Sequence, residues 1–252
     1  MEYKFYGISK KQFLSKNNLF SSKLYKKKIL YEISNFKKES YWNFLKNLWN
    51  EYNRNPEKIG YLDQVSLKIN SLLKTKKSIA ILDLGGGIGD NFFKLKRYNQ
   101  SKLSRIKYYI IDENKFLLKK GKSFFSNTKN LFFKKKIPLE KFSLILLVGT
   151  LQYINNFKDI LKKLNIERPC YLYFSRTIFS NQNYDLFTVQ RLNEKNYEQS
   201  VKLYSLKNFQ KLLLRNNFKK VFIRKNQSLL NFFVVKNLNI EINYYDILFE
   251  LS

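Results

Sequence analysis

The chain has 252 residues, 44% of them apolar and 17% aromatic, with 48 Lys and Arg against 19 Asp and Glu for a formal charge of +29. That much apolar side chain can bury a sizeable core and excludes a disordered polyelectrolyte in spite of the charge. Histidine is absent, which removes Ser-His-Asp and Cys-His nucleophiles, imidazole acids and bases and zinc sites of the His type; catalysis is left with carboxylates, Tyr, Lys, Arg and geometry, and no metal site is expected.

The lone Cys170 excludes an intramolecular disulfide. The start, Met1-Glu2-Tyr3-Lys4-Phe5, shows no secretory pattern. The longest apolar stretch, Phe142 to Ile154, includes Gln152 and falls short of the roughly 18 residues of a membrane span. A cytoplasmic protein without a transmembrane segment is the expectation. The charge has two readings. A basic surface is the footprint of a nucleic-acid or anionic-surface binder. Yet the cations are mostly Lys, with Arg only at Arg54, Arg97, Arg105, Arg168, Arg176, Arg191, Arg215 and Arg224, whereas bidentate readers of phosphates and bases favour Arg. Lys is spread along the whole chain together with abundant Asn, Ile, Tyr and Phe, the amino-acid set of an AT-rich coding sequence. The compositional reading is preferred, and a modest basic groove stays open.

Residues 1–75 read as a helical amino-terminal extension. Trp42, Leu45, Leu48, Trp49 and Tyr52 recur at helical steps, as do Val65, Ile69, Leu72 and Leu73, with a break at Asn55-Pro56. From Ser78 the period changes. Ile79 to Leu82, Ile106 to Ile111, Leu131 to Phe133, Phe142 to Val148 and Tyr171 to Phe174 are short apolar runs of the buried-strand type. Helical spacing lies between them, at Phe92-Phe93-Leu95, Phe116-Leu117 and Ile160-Leu161-Leu164. A further helix is expected over about Ser205 to Asn216, then two strands, Val221 to Ile223 and Leu229 to Val235, too close for a crossover and so paired antiparallel. Residues 76–252 therefore predict an α/β domain, a Rossmann-like seven-stranded, mostly parallel sheet with helices on both faces.

Four of the eight glycines fall within five positions, Gly85, Gly86, Gly87 and Gly89, directly after the first strand and before a helix. Missing side chains let the backbone turn sharply and let a ligand approach it. The dinucleotide fingerprint fails because its sixth place is Asp90, and the phosphate-loop pattern at Gly121-Lys122-Ser123 fails because Phe116 stands where its first Gly belongs. Asp112 closes the next strand 23 residues past Gly89, near the spacing of roughly 20 at which a strand-end acid meets ribose hydroxyls. An exposed acid in a turn is the plainer alternative.

The run Asp83 through Gly89, Asp-x-Gly-x-Gly-x-Gly, resembles motif I of class I S-adenosylmethionine-dependent methyltransferases. The resemblance implies S-adenosylmethionine as cofactor, with the loop of Gly85, Gly86, Gly87 and Gly89 packed against its amino-acid moiety and ribose. It further implies that Asp83 holds both the loop and the cofactor's cationic end.

The ligand of an open parallel sheet lies beyond the carboxyl ends of its strands. The fourth strand delivers Gly149-Thr150-Leu151-Gln152-Tyr153 there, and the fifth delivers Ser175-Arg176-Thr177, followed by Tyr184-Asp185 and Thr188-Val189-Gln190. Over roughly Gly60 to Phe218 these segments resemble a bacterial methyltransferase family associated with O-antigen and capsule biosynthesis, which implies a sugar or glycan acceptor. Two departures stand out. That pattern has an Asp before the Arg-Thr, where this chain has Ser175, and a Ser-Tyr-Pro element matched here only by Ser200 and Tyr204.

A sugar hydroxyl needs a base or a strong hydrogen-bond acceptor. Tyr153 and Asp185 are the candidates, Arg176 is a third catalytic candidate able to bind a phosphate or carboxylate on the acceptor, and Gln152, Thr177 and Gln190 are candidate substrate contacts. Plainer readings stand beside them: Tyr153 as packing, Arg176 as the ion-pair partner of Asp185. Pro169-Cys170 resembles the nucleophile of cytosine-C5 methyltransferases but opens a strand instead of following one, so a buried strand cysteine is expected. The Asn/Asp-Pro-Pro-Tyr element of amino-methylating nucleic-acid enzymes is missing, since Gly149-Thr150 stands in its place. An RNA methyltransferase and a methyltransferase-like module without catalysis remain the alternatives.

Overall fold

The computed structural model describes residues 62–192, 197–225, 233–235 and 240–252, with the short pieces 3–4, 18–20 and 23–24 and positions 43, 46, 47 and 50. The helical stripe expected from Trp42 to Tyr52 lies outside them. Three short strands, β1 (Tyr3–Lys4), β2 (Asn18–Phe20) and β3 (Lys23–Leu24), occur in the segment expected to be helical. Then follow α1 (Asp63–Thr75), β4 (Ile79–Leu84), α2 (Asp90–Tyr98), β5 (Ile106–Ile111), α3 (Lys115–Phe124), β6 (Leu131–Lys134), β7 (Phe142–Val148) and α4 (Phe157–Lys163). The chain continues through β8 (Ile166–Ser180), β9 (Leu186–Leu192), β10 (Tyr197–Ser205), α5 (Leu206–Arg215), β11 (Lys219–Lys225), β12 (Phe233–Val235) and β13 (Ile240–Leu251).

The apolar runs form the centre of one sheet. β6, β5, β4, β7 and β8 lie side by side and parallel. All six residues of β4 are buried, as a strand covered on both faces requires. One face carries α1, α2 and α3 through Val65, Ile69, Phe92, Leu95 and Leu117 against Ile81, Ile110 and Leu144. The other carries α4 and α5 through Phe157, Leu161, Phe209 and Leu213 against Leu82, Ile145 and Phe174. The expected α1 thus sits within the α/β layer and shares its core.

The sheet has eleven strands among the described residues, not seven. The pairing expected between Val221–Ile223 and Leu229–Val235 is replaced: β11 and β12 each pair antiparallel with β13, which also pairs antiparallel with β8. The ladder of β13 with β8 breaks between Tyr245 and Ile247, where Ser175 and Arg176 oppose the single residue Asp246, so the bulge lies on β8 and the alternation of Tyr245, Ile247, Phe249 and Leu251 in β13 continues through it. The Ser175-Arg176-Thr177 segment, expected as a loop after the fifth strand, is itself strand, because β8 runs on to Ser180. Its overshoot pairs with β10, which continues to β9 and β2. Among the described residues no helix is long and apolar enough to cross a membrane.

On the second face, Phe209 puts its ring 5.0 Å from Phe174, 5.2 Å from Phe179 and 5.7 Å from Phe157. Phe209→Ala would leave a cavity at the junction of α4, α5 and β8, and urea unfolding should register a loss of about 3–5 kcal/mol.

Candidate active site

The loop from Gly85 to Gly89 lies at the carboxyl end of β4 and is tied to β5 on both sides. Gly85 donates its N–H to the Ile111 carbonyl at 2.7 Å. Gly87 donates to Asp112 Oδ2 at 3.1 Å, and Asp112 Oδ1 accepts from the Asn114 N–H at 2.8 Å. Asn114 in turn caps α3 by accepting from the N–H groups of Phe116 and Leu117. Asp112 is half-buried, and burial pushes its carboxyl up against the opposing effect of those two N–H donors.

Two of the glycines differ in what they face. A Cβ on Gly85 would stand 2.2 Å from the Thr150 side chain, so the absence of a side chain there lets β4 and β7 approach. Gly87 has a left-handed φ of +56°, and a Cβ there would meet only Leu117, at 3.7 Å. Its open side is the face of the loop that a ligand can reach.

Asp83 lies beneath the loop, fully buried. Tyr108 donates its phenol O–H to Oδ2 at 2.8 Å, and Asn91 Nδ2 reaches both carboxylate oxygens at 3.2 Å. Burial raises its pKa to about 7; the two donors oppose the shift, and Asp90 and Asp112 add to it. The carboxylate therefore joins β4, β5 and the start of α2. The stability it contributes is complete below the unfolded value near 4 and is lost as pH rises through the folded value of about 7. Urea unfolding between pH 4 and pH 8 should record a loss on the order of 4 kcal/mol at most, and Asp83→Asn should flatten that dependence.

The acceptor-side candidates meet at the ends of β7 and β8. Gly149 donates to the Ser175 carbonyl at 2.8 Å, and a Cβ on Gly149 would meet nothing within 4 Å. Gln152 is buried in the turn Leu151–Tyr153; its Nε2 donates to the Gly149 carbonyl at 2.8 Å, while Oε1 has no hydrogen-bond partner among the described residues. Tyr153 is half-buried and electrostatically coupled to Tyr244 of β13, as is Arg176. Burial pushes the Tyr244 phenol up, Tyr153 pushes the same way, and Arg176 opposes. Tyr244, opposite Ile178 on β13 and two positions from Asp246, is near enough to both for their charges to act on it, and sequence reasoning missed it.

The remaining candidates fall elsewhere. Thr177 is fully buried, with Oγ1 donating to the Ser175 carbonyl at 3.3 Å, so it faces the sheet and not an open site. Gln190 lies in β9, opposite Gln199 and Phe20, and its side chain is outside the described residues. Asp185 does not pair with Arg176. Its Oδ1 accepts from the Ser205 N–H at 2.9 Å and its Oδ2 pairs with Lys202 at 2.9 Å, an arrangement that braces the start of α5. Cys170 is buried in β8 with its thiol pushed up by desolvation, an inert strand cysteine.

A carboxylate from the neighbouring strand meets Ser175. Ser175 Oγ donates to Asp246 Oδ1 at 2.7 Å, a contact across 71 positions of sequence. Nothing local in the sequence points to it.

No family model matches the sequence, and no curated protein does. Solved structures do. 1,6-Didemethyltoxoflavin-N1-methyltransferase from Burkholderia thailandensis, with 1,6-didemethyltoxoflavin and S-adenosylhomocysteine bound, aligns over 99% of both chains at 10% identity with a TM-score of 0.51. A Listeria monocytogenes protein assigned to the S-adenosylmethionine-dependent methyltransferases aligns over 73% of this chain and 96% of its own, at 15% identity and a TM-score of 0.51. A Galdieria sulphuraria protein assigned as a sarcosine dimethylglycine methyltransferase aligns over 75% and 86%, at 10% identity and a TM-score of 0.52. The chain has the class I methyltransferase fold.

Arg176 has a φ of 52°, a left-handed conformation that costs a residue with a Cβ about 1–2 kcal/mol. Arg176→Gly should therefore unfold at higher urea than Arg176→Ala, by about 1 kcal/mol, although both lose the same guanidinium.

Proposed function

We propose that the protein is an S-adenosylmethionine-dependent methyltransferase acting on a sugar hydroxyl in surface-polysaccharide biosynthesis, in the cytoplasm. The observation that carries the first part is the loop itself. Gly87 turns an open left-handed face outward between a buried brace, Asp83, and a strand-end carboxylate, Asp112. The residues fit the cofactor. Gly85, Gly86, Gly87 and Gly89 supply backbone without side chains, Asp112 can accept from ribose hydroxyls, and Gly149 leaves room on the far side. Bound S-adenosylmethionine supplies an already activated methyl group on a sulfonium.

The chain's own task is then alignment and exclusion of water. Tyr153 and Tyr244 offer phenol oxygens as hydrogen-bond partners to an acceptor hydroxyl, Gln152 lies in the same turn as Tyr153, and Arg176 offers a cation. Asp185, braced by Lys202 and Ser205, is the weaker candidate for a base. The sugar acceptor is supported by the resemblance of the strand-end segments to the polysaccharide-associated family, and the absence of both nucleic-acid methylation elements argues the same way. The charge of +29 favours RNA as the second reading.

S-adenosylhomocysteine should raise the melting temperature, because a ligand held by the native state alone stabilises it. Gly87→Val should abolish the shift and Asp112→Ala should reduce it. Absence of binding in calorimetry at millimolar ligand would overturn the cofactor reading. With labelled donor, methyl groups should enter nucleotide sugars or lipid-linked oligosaccharide of the source organism. Label in RNA and not in glycan would establish the second reading, and binding without transfer to either would mark a module without catalysis.

A further inference from the structure

β8 and β13 pair antiparallel from Cys170 opposite Leu251 to Ser180 opposite Ile242, and their ladder breaks between Tyr245 and Ile247. Asp246 stands in that break, 1% exposed. Its Oδ1 accepts from Ser175 Oγ at 2.7 Å and from the Arg176 backbone N–H at 3.3 Å; its Oδ2 accepts from Arg224 Nη2 at 3.2 Å. The Arg176 backbone is left-handed, a state that persists in a residue with a Cβ only where its surroundings hold it. Ser175 and Arg176 together stand opposite the single residue Asp246, so the bulge is on β8 and Arg176 is part of it, with Asp246 bonded to both of its residues. Bulges bend a strand and re-aim a side chain.

The result shows in the burial pattern. From Cys170 to Ser180 every residue of β8 is buried except Arg176. Its side chain emerges at the level where β7 ends, since Val148 lies opposite Ser175. It has no hydrogen-bond or ion-pair partner among the described residues. The nearby carboxylate does not neutralise it: Asp246 takes the backbone N–H of Arg176 and gives its ion pair to Arg224. An exposed planar cation without a counter-charge among the described residues, on a backbone fixed in a bulge, suits an oxyanion.

We propose that Asp246 is a positioning residue that aims Arg176, and that Arg176 binds a phosphate or carboxylate group carried by the methyl acceptor. The second half rests on the methyltransferase reading.

The test is calorimetry of the full chain, with and without S-adenosylhomocysteine, titrated with inorganic pyrophosphate and separately with glucuronate. Salt is held at about 0.15 M, where attraction to scattered surface cations is screened beyond about 8 Å. One saturable site is expected; tighter pyrophosphate identifies a phosphate on the acceptor, tighter glucuronate a carboxylate. Arg176→Ala should weaken it at least about tenfold, the loss of a charge-assisted contact. Asp246→Asn should weaken it comparably in the native background and no further in Arg176→Ala, the signature of a residue acting through another. Should Asp246→Asn not fold, Ser175→Ala replaces it in the same cycle with a smaller loss expected. Unchanged binding in Arg176→Ala, or equal weakening by the partner variant with and without Arg176, overturns the proposal. Failure of S-adenosylhomocysteine to bind would instead overturn the methyltransferase reading, and the titration without it would still decide the role of Arg176.

Discussion

Asp83 sits at the last position but one of the central strand, where water does not reach it, and a carboxylate there is unfavourable unless it is hydrogen-bonded or protonated. Both responses are visible: Tyr108 and Asn91 donate to it, and burial lifts its pKa into the neutral range. The donors come from β5 and α2, so satisfying one buried group fixes the register of strand to strand and the start of the helix. The same carboxylate limits the loop above it, since a Cβ on Gly86 would lie 2.7 Å from Asp83. The loop is thus closed on its inner side and open at Gly87, and the geometry of a cofactor cradle follows from the packing of the acid beneath it.

The geometry of the glycine loop is legible in the sequence because its determinants are local. Asp83, the glycines and Asp112 lie within two consecutive strand ends, and the conformations required at Gly85, Gly87 and Gly89 are ones that glycine signals by its presence. The region around Arg176 is legible only in part. Tyr153 and Arg176 stand out in the sequence because they follow apolar strand runs, whereas Tyr244 reaches the same region from β13, far away in sequence. The sequence makes Arg176 a candidate for catalysis or anion binding but says nothing of its left-handed backbone, which goes with a contact from position 246, 70 positions away. Asp185 was assigned to the acceptor because its segment follows the fifth strand; the overshoot of β8 takes it to the start of α5.

This division follows the architecture. The parallel strands end together, which suffices to present a loop and an acid to a cofactor. The region around Arg176 is built instead by strands that do not stop there: β8 and β13 run on past the end of β7, and β10, β9 and β2 extend the sheet from their far end. Side chains of this added sheet alternate between faces, and the bulge of β8 at Ser175 and Arg176 shifts that alternation where the strand passes the end of β7.

The excess charge bears on the same question. With 48 cations against 19 acids, most Lys and Arg cannot be ion-paired within the chain, and an exposed lysine attracts any anion weakly and without orientation. Some arginines are already used: Arg105 donates to the carbonyls of Leu73, Lys76 and Lys77 at the end of α1, and Arg224 to Asp246. A general positive field raises the local concentration of anionic ligands and discriminates little among them. Discrimination requires a cation whose direction is set before the ligand arrives, because the entropy of ordering it has then already been lost on folding. Arg176 meets that condition through its backbone, which is why the specificity of a strongly basic surface can rest on one guanidinium.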